Sequence, residues 1–301
     1  MVDFQEKTVV SFDNIAMKKR KFIVEYLILT TGAIFMLAPF LWMVLTSFKG
    51  PGNIFRIPPQ WIPRPIHWEN YVKVWSALRV DANFLGIHIT QGFLMAFINS
   101  VFVSVTVTFG QVLTSAMGAF AFSRLKFKLR DKLFLSYLLT LMIPFQVTMI
   151  PTFVLLKYLG WVDTYQGLIV PGLVSAYGTF FLRQFFISIP RDLEDAATID
   201  GCNKLGIFRH VILPLAKPAI ATLSIFTFLS VWNDFLWPLV VINSPEKMTL
   251  PLMLNSLRGL HSTDWTILMP ASVIVVVPVI LVYIFNQKFI TEGISLTGLK
   301  G

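Results

Sequence analysis

The sequence has few charged residues and almost no cysteine. Only 14% of its 301 residues are charged, whereas a soluble domain has about a quarter. The single cysteine, Cys202, excludes an intrachain disulfide and a cysteine-based metal cluster. The four histidines are scattered, so neither a metal site nor a catalytic cluster is predicted. What remains is an apolar chain, 55% hydrophobic, with a formal net charge of +9.

The apolar residues form runs long enough to cross a bilayer, which takes about 20 helical residues. Such runs must be helical because lipid offers the backbone no hydrogen-bonding partners. The sequence therefore predicts an all-α polytopic membrane protein, in which Pro144 and Pro151 weaken the third span. The six predicted spans are 22–46, 93–122, 133–156, 167–187, 219–242 and 267–287.

Lys and Arg residues predict how these spans are oriented. They concentrate before the first span, after the second and after the fourth, as in 18–21, 124–132 and 191–217. Short loops rich in basic residues tend to stay in the cytoplasm. Both termini and these two loops are therefore predicted to be cytoplasmic.

The second of these loops contains an acidic stretch, PRDLEDAATIDG, at 190–201. It is predicted to form a short helix with Pro190 at its first position and a left-handed Gly201 at its end. An anionic leaflet would repel this helix, so a groove on a partner protein is the favoured location, with plain solvation as the alternative. Four residues are predicted to share one face: Leu193, Ala196, Ala197 and Asp200.

The run LEDAATIDGCNKLGIFRHVILPLAKP resembles the EAA loop of binding-protein-dependent ABC importer permeases. The family pattern is E-A-A, two residues, D-G, a spacer and L-P, and this chain departs from it by having Asp195 in place of Glu. The segments FINSVFVS, IPFQVTMIPTF and WNDFLWPL extend the resemblance to the carbohydrate branch, of the maltose-transporter type. The resemblance implies that the following residues couple the chain to an ATPase: Leu193, Glu194, Asp195, Ala196, Ala197, Asp200, Gly201, Leu213 and Pro214.

The resemblance also implies a type I ABC importer transmembrane fold in the cytoplasmic (inner) membrane. The implied partners are a second permease subunit, two copies of an ABC ATPase, an extracytoplasmic sugar-binding protein and the lipid bilayer, but no nucleic acid. ATP and Mg would be bound by the ATPase, since this chain has no G-x-x-x-x-G-K-[ST] motif; it is expected to bind no cofactor and to be no enzyme. The implied divisions are a cytoplasmic tail (1–21), the first span with a long outer loop (22–90), a core (91–290) containing the coupling loop (188–217), and a second tail (291–301).

Polar residues within the spans are candidates for the substrate path. Asp234 is the strongest, because an ionisable group inside a membrane is costly and is usually functional. An aromatic belt with polar groups at a helix end is the alternative for residues 232–234, and helix–helix contact is the alternative for the others. The remaining candidates are Asn99, Gln146, Trp232 and Asn233. The alternative function is an ion- or proton-coupled secondary transporter, which would use buried acids or broken helices near the midplane.

Overall fold

The computed structural model describes the backbone of residues 2–84, 86–258 and 263–298, and the side chains of 22–84, 86–258 and 263–287. The described chain is mostly helical. It divides into two units, Met1–Tyr71 with Trp265–Val273, and Val72–Asp264 with Ile274–Gly301. Each unit is described by itself below.

The first unit contains the first predicted span. The buried amide of Asn70 donates to the carbonyls of Ser47 and Lys49, both at 3.0 Å. These two bonds tie the chain that leaves α1 to the first turn of α2. The elements of this unit are α1 (Val2–Ser47), a 3-10 turn (Pro51–Asn53), the start of α2 (Glu69–Ser76) and the start of α14 (Trp265–Gly298).

After the end of α2, the second unit contains a β-hairpin that departs from the predicted all-α fold. Strand β1 (Arg79–Phe84) pairs antiparallel with β2 (Ile87–Gln91). Ala82 and Ile89 are partners in this register and both are buried, and Gly86 supplies a left-handed turn residue with φ +85°. The all-α prediction is wrong here because it rested on long apolar runs and passed over a short segment whose apolar residues alternate.

The rest of the second unit is helical. Its longest helix is α3 (Gly92–Arg124), which contains the second predicted span. Three 3-10 turns (Thr140–Met142, Val170–Gly172 and Pro245–Lys247) and a π-helical turn (Phe208–Ile212) interrupt the chain. The shorter helices are α4 (Arg130–Leu139), α5 (Phe145–Tyr158), α6 (Tyr165–Ile169), α7 (Ala176–Ser188), α8 (Asp192–Ile199), α9 (Lys204–Ile207), α10 (Leu213–Leu215), α11 (Lys217–Trp232), α12 (Leu236–Val241) and α13 (Leu250–Ser256).

Three described helical segments are long and apolar enough to cross a membrane: Phe22–Ser47, Gly92–Arg124 and Trp265–Gln287. They coincide with the first, second and sixth predicted spans. The number rises to five if each of two bent helix pairs forms one span, Arg130–Met142 with Phe145–Tyr158 and Lys204–Leu215 with Lys217–Trp232.

Breaks in the helices account for the difference from six. The third predicted span bends by 98°, and Pro144 lies at this break, where its missing N–H and its ring stop a helix. Pro151 stays inside α5. The fourth predicted span is divided, because Pro171 and Gly172 lie in a 3-10 turn between α6 and α7.

The centre of the second unit is formed by α3 packed against α7 and α11. A Cβ added to Gly178 of α7 would lie 2.5 Å from Ser115 Oγ of α3 and 3.4 Å from Leu223 Cδ2 of α11. Small residues allow membrane helices to approach this closely. A buried apolar cluster, which includes Ala119 and Leu182, extends from these helices to the segment that contains α8.

Candidate coupling and transport sites

The acidic helix predicted within 190–201 is α8. The N–H of Gly201 donates to the carbonyl of Thr198 at 3.1 Å, and that of Cys202 donates to Ala197 at 2.9 Å. Gly201 itself has φ +86°. This pair of bonds around a left-handed glycine ends α8 sharply, so the prediction for Gly201 is confirmed.

The start of α8 differs from the prediction. Pro190 lies two positions before the helix, and the carbonyl of Arg191 accepts the first helical bonds, from Glu194 and Asp195. Three acidic residues nevertheless lie in the first turn, where the helix dipole stabilises negative charge.

The predicted face of α8 is divided by the fold. Ala197 packs against the buried cluster of α3, α7 and α11. Glu194 also turns inward: its carboxylate lies 2.9 Å from the guanidinium of Arg124 at the end of α3. Asp192, Asp195 and Ala196 remain exposed. Of the four residues predicted to share one face, Leu193, Ala196 and Asp200 are exposed, whereas Ala197 is half-buried against the core.

Two exposed apolar residues beside α8 were missed in the sequence. Ile199 is 87% exposed and Leu205, in α9, is 71% exposed. Ile199 follows Asp195 by four positions and Ala196 by three, which places it on their side of the helix. This spacing can be read from the sequence and could have identified Ile199 as a member of the same face. The outward face of α8, defined here as Asp192, Asp195, Ala196 and Ile199, thus combines negative charge with a small and a large apolar side chain.

The second half of the coupling loop turns a corner. Leu213 packs against the buried cluster and Pro214 is exposed. The axis bends by 77° between the segment Lys204–Leu215 and α11. Leu213 and Pro214 therefore lie three residues and two residues before Ala216, where the loop joins α11.

The candidate path residues lie in two different environments. Asn99 is fully buried and its polar atoms are occupied: its amide donates to the carbonyls of Glu246 and Met248, both at 2.9 Å, and its oxygen accepts from the Tyr165 hydroxyl at 2.7 Å. These contacts favour the structural interpretation of Asn99. Gln146, one residue into α5, is exposed.

Residues 232–234 lie where α11 ends and before α12 begins. The Trp232 indole is buried and donates to the carbonyl of Val275 at 3.1 Å. Asn233 is exposed, and the half-buried Asp234 accepts from the N–H of Trp237 at 3.3 Å. The structure therefore leaves Asn233 and Asp234, and not Trp232, with polar atoms able to meet a ligand.

A family model described as "Binding-protein-dependent transport system inner membrane component" matches residues 111–292, which include α8 and the whole coupling loop. The chain belongs to this family. It is thus a membrane transport component and not an enzyme, and the resemblance found in the EAA loop is confirmed.

Individual relatives of this transport component match most of its length. It is 36% identical over 265 residues to the arabinooligosaccharides transport system permease protein AraQ of Halalkalibacterium halodurans, covering 87% of this chain and 91% of the relative. It is 29% identical over 272 residues to the sn-glycerol-3-phosphate transport system permease protein UgpE of Yersinia pestis, covering 89% and 94%. A solved bacterial ABC transporter involved in alginate import shares its fold, with TM-score 0.78, 24% identity, and coverage of 88% and 95%.

Asp163 is a further residue of this family member that the sequence did not single out. Its carboxylate accepts hydrogen bonds from the backbone N–H groups of Asn243 and Ser244, both at 3.0 Å, and from the Ser244 hydroxyl. The ammonium of Lys247 lies 3.4 Å away. Asp163 therefore fastens the segment before α6 to the segment after α12.

The same contacts set the ionisation of Asp163. Burial alone would raise its pKa, but the hydrogen bonds from Ser244 and Asn243, with the nearby Lys247, lower the pKa to about 2. A depressed carboxyl pKa stabilises the native state above the ordinary pKa near 3.8, and that contribution is lost as the pH falls toward 2.

Asp163→Asn should lower the free energy of unfolding at pH 7 by about 1.5 kcal/mol, the low end for a charged hydrogen bond because the side chain is 24% exposed. Thermal unfolding of the purified permease in detergent between pH 7 and pH 3 measures this. The deficit should be constant down to about pH 5 and narrow below it. Asp195→Asn, at an exposed carboxylate, is the control; a deficit for Asp163→Asn that grows at low pH would contradict the assignment.

Proposed function

We propose that this chain is the permease subunit of an ATP-driven importer that moves a sugar or oligosaccharide across the cytoplasmic membrane. In this proposal it has six spanning helices and cytoplasmic termini, as the basic loops favour. It pairs with a second permease and two copies of an ABC ATPase, which bind ATP and Mg, and receives its substrate from an extracytoplasmic binding protein. Its relatives named for arabinooligosaccharide and glycerol phosphate transport support the substrate class.

The observation that carries the proposal is the outward face of α8 within the family segment. An exposed helix carrying Asp192 and Asp195 is unsuited to an anionic lipid surface. Exposed Ile199, next to the small Ala196, gives the same face apolar area to bury. Acids around an apolar centre match a groove with basic rims, which is how a short helix docks into a protein partner.

The mechanism follows from the position of α8 at the edge of the helical core. Alternating access requires two packings of the membrane helices, and moving their ratio from 1:99 to 99:1 takes about 5.5 kcal/mol of differential binding. Nucleotide-driven movement of the ATPase would supply this energy through the docked α8. The sharp end of α8 at Gly201 and the packing of Ala197 and Leu213 on the core support a loop that would transmit this movement.

A second function is favoured by one observation. Asp234 lies at the break between α11 and α12, and a broken helix with an acid is what an ion-coupled carrier uses. In the ATP-driven importer, Asn233 and Asp234 would instead offer hydrogen-bond acceptors and donors to sugar hydroxyls.

Reconstitution of the complete complex in liposomes separates the two functions. With the ATPase, partner permease and binding protein present, uptake of an arabinooligosaccharide or of glycerol phosphate should require ATP and stop without it. A proton or sodium gradient alone should drive none. Gradient-driven uptake by the permease without the ATPase would overturn the proposal in favour of the coupled carrier.

A further inference from the structure

One buried guanidinium joins three elements around α8. The side chain of Arg124, the last residue of α3, is only 4% exposed. It donates to the carbonyls of Phe186 and Ile189 at the end of α7, the latter at 2.8 Å. It also lies 2.9 Å from the carboxylate of Glu194 in α8. A cation is well placed at the negative end of a helix, where terminal carbonyls lack partners inside the helix.

A second arginine closes the contact in the opposite direction. The Arg183 guanidinium of α7 donates to the carbonyl of Phe122 in α3 at 3.2 Å and lies 4.1 Å from the centre of the Phe134 ring. Each of the two helices therefore holds the end of the other. Glu194 adds α8 to these contacts between α3 and α7. Only three residues, 189–191, link α7 to α8.

Glu194 differs in this respect from the other acids of its helix. Asp192, Asp195 and Asp200 are exposed, whereas Glu194 is 9% exposed. A buried ion pair contributes little net stability, because desolvation of both charges offsets their attraction. What the pair does show is a contact between α8 and the ends of α3 and α7, which share the Arg124 guanidinium.

We infer that Arg124 and Glu194 are positioning residues that form an internal strut, through which displacement of α8 by its partner reaches α3. This inference rests on the proposed function of α8 as the coupling helix. Glu194 then has no part in the docking face, although it lies between residues that do. Loss of the strut should leave the ATPase bound while its motion is absorbed by movement of α8 against the core.

Glu194→Ala in the complete reconstituted complex tests the strut. The ATPase should co-purify at wild-type stoichiometry and hydrolyse ATP, while substrate imported per ATP hydrolysed falls about fivefold or more, the usual size of coupling between sites. Glu194→Gln should lower this ratio less, because the amide keeps a polar oxygen facing the Arg124 guanidinium although it loses the charge. Glu194 is changed and not Arg124, because Arg124 also holds the end of α7. Arg191 and Lys204 line the same cavity as Arg124 and Glu194 and would leave positive charge there.

The outward acid Asp195 provides the matched control. Asp195→Asn should instead weaken ATPase association, because Asp195 lies on the outward face of α8. An unchanged ratio in Glu194→Ala, or loss of ATPase from it, would overturn the strut. If Glu194→Ala fails to accumulate, the ratio in Glu194→Gln decides in the same way. Failure of the coupling assignment itself is distinguishable, because Asp195→Asn and Glu194→Ala would then both leave association and ratio at wild-type values.

Discussion

Ala196→Arg should abolish ATP-driven uptake while leaving the permease folded. Ala196 is exposed on α8, so a long side chain there costs the isolated chain little. In the complex, the arginine would enter the centre of the docking face and meet the basic rims expected of a groove that accepts Asp192 and Asp195. A disrupted centre of an interface costs about 2 kcal/mol or more, roughly a 30-fold loss of affinity for the ATPase.

Co-purification of the ATPase with the tagged permease measures this loss, and melting of the permease in detergent verifies folding. Val72→Arg is a matched control. Val72 is 70% exposed on α2, which has eight residues, as α8 has, but lies in another loop. It should leave ATPase association at the wild-type level. Normal stoichiometry of the ATPase in Ala196→Arg would remove α8 from the interface.

The local chemistry of the coupling loop could be predicted from sequence, but its orientation could not. A glycine after a helical pattern is enough to place the left-handed stop at Gly201. The spacing of alanines and acids cannot say which side of a short helix faces the core, because that depends on a partner elsewhere in the chain. For Glu194 the partner is Arg124, 70 positions earlier. In the sequence, the charge of Arg124 was used only to predict the orientation of the second span.

For the membrane helices, too, the sequence predicts local features but not those that depend on distant contacts. Composition predicts which segments are apolar, and three of the six spans were found with nearly their observed bounds. Whether a proline breaks a helix depends on whether neighbours can satisfy the freed backbone groups. Pro144 lies at a bend of 98° between two helices and Pro151 lies inside the continuous helix α5, although the two residues are indistinguishable by composition. The Asp163 contacts were hidden for a similar reason, since their donors lie 80 positions away.

Gly178→Ala should damage the core as strongly as Ala196→Arg damages docking. The added Cβ would lie 2.5 Å from Ser115 Oγ and 3.2 Å from Ser115 Cβ. It would also lie 3.4 Å from Leu223 Cδ2 of α11. Overpacking of this kind costs about 1–3 kcal/mol. Thermal unfolding should show the loss. Uptake should fall while the ATPase still co-purifies, because α8 keeps its outward face but its movement reaches helices that no longer pack.

A second substitution tests whether the loss comes from this contact. Ser115→Gly removes a Cβ from α3 at the point where Gly178→Ala adds one to α7, so the double variant should be more stable than Gly178→Ala alone by about 1 kcal/mol. Gly206→Ala is the control, since its Cβ would meet only ordinary contacts, 3.4 Å or longer, and should have little effect. Additive losses in the double variant would mean that α3 and α7 do not meet at these residues, and the rigid core that α8 is proposed to move would lack its central contact.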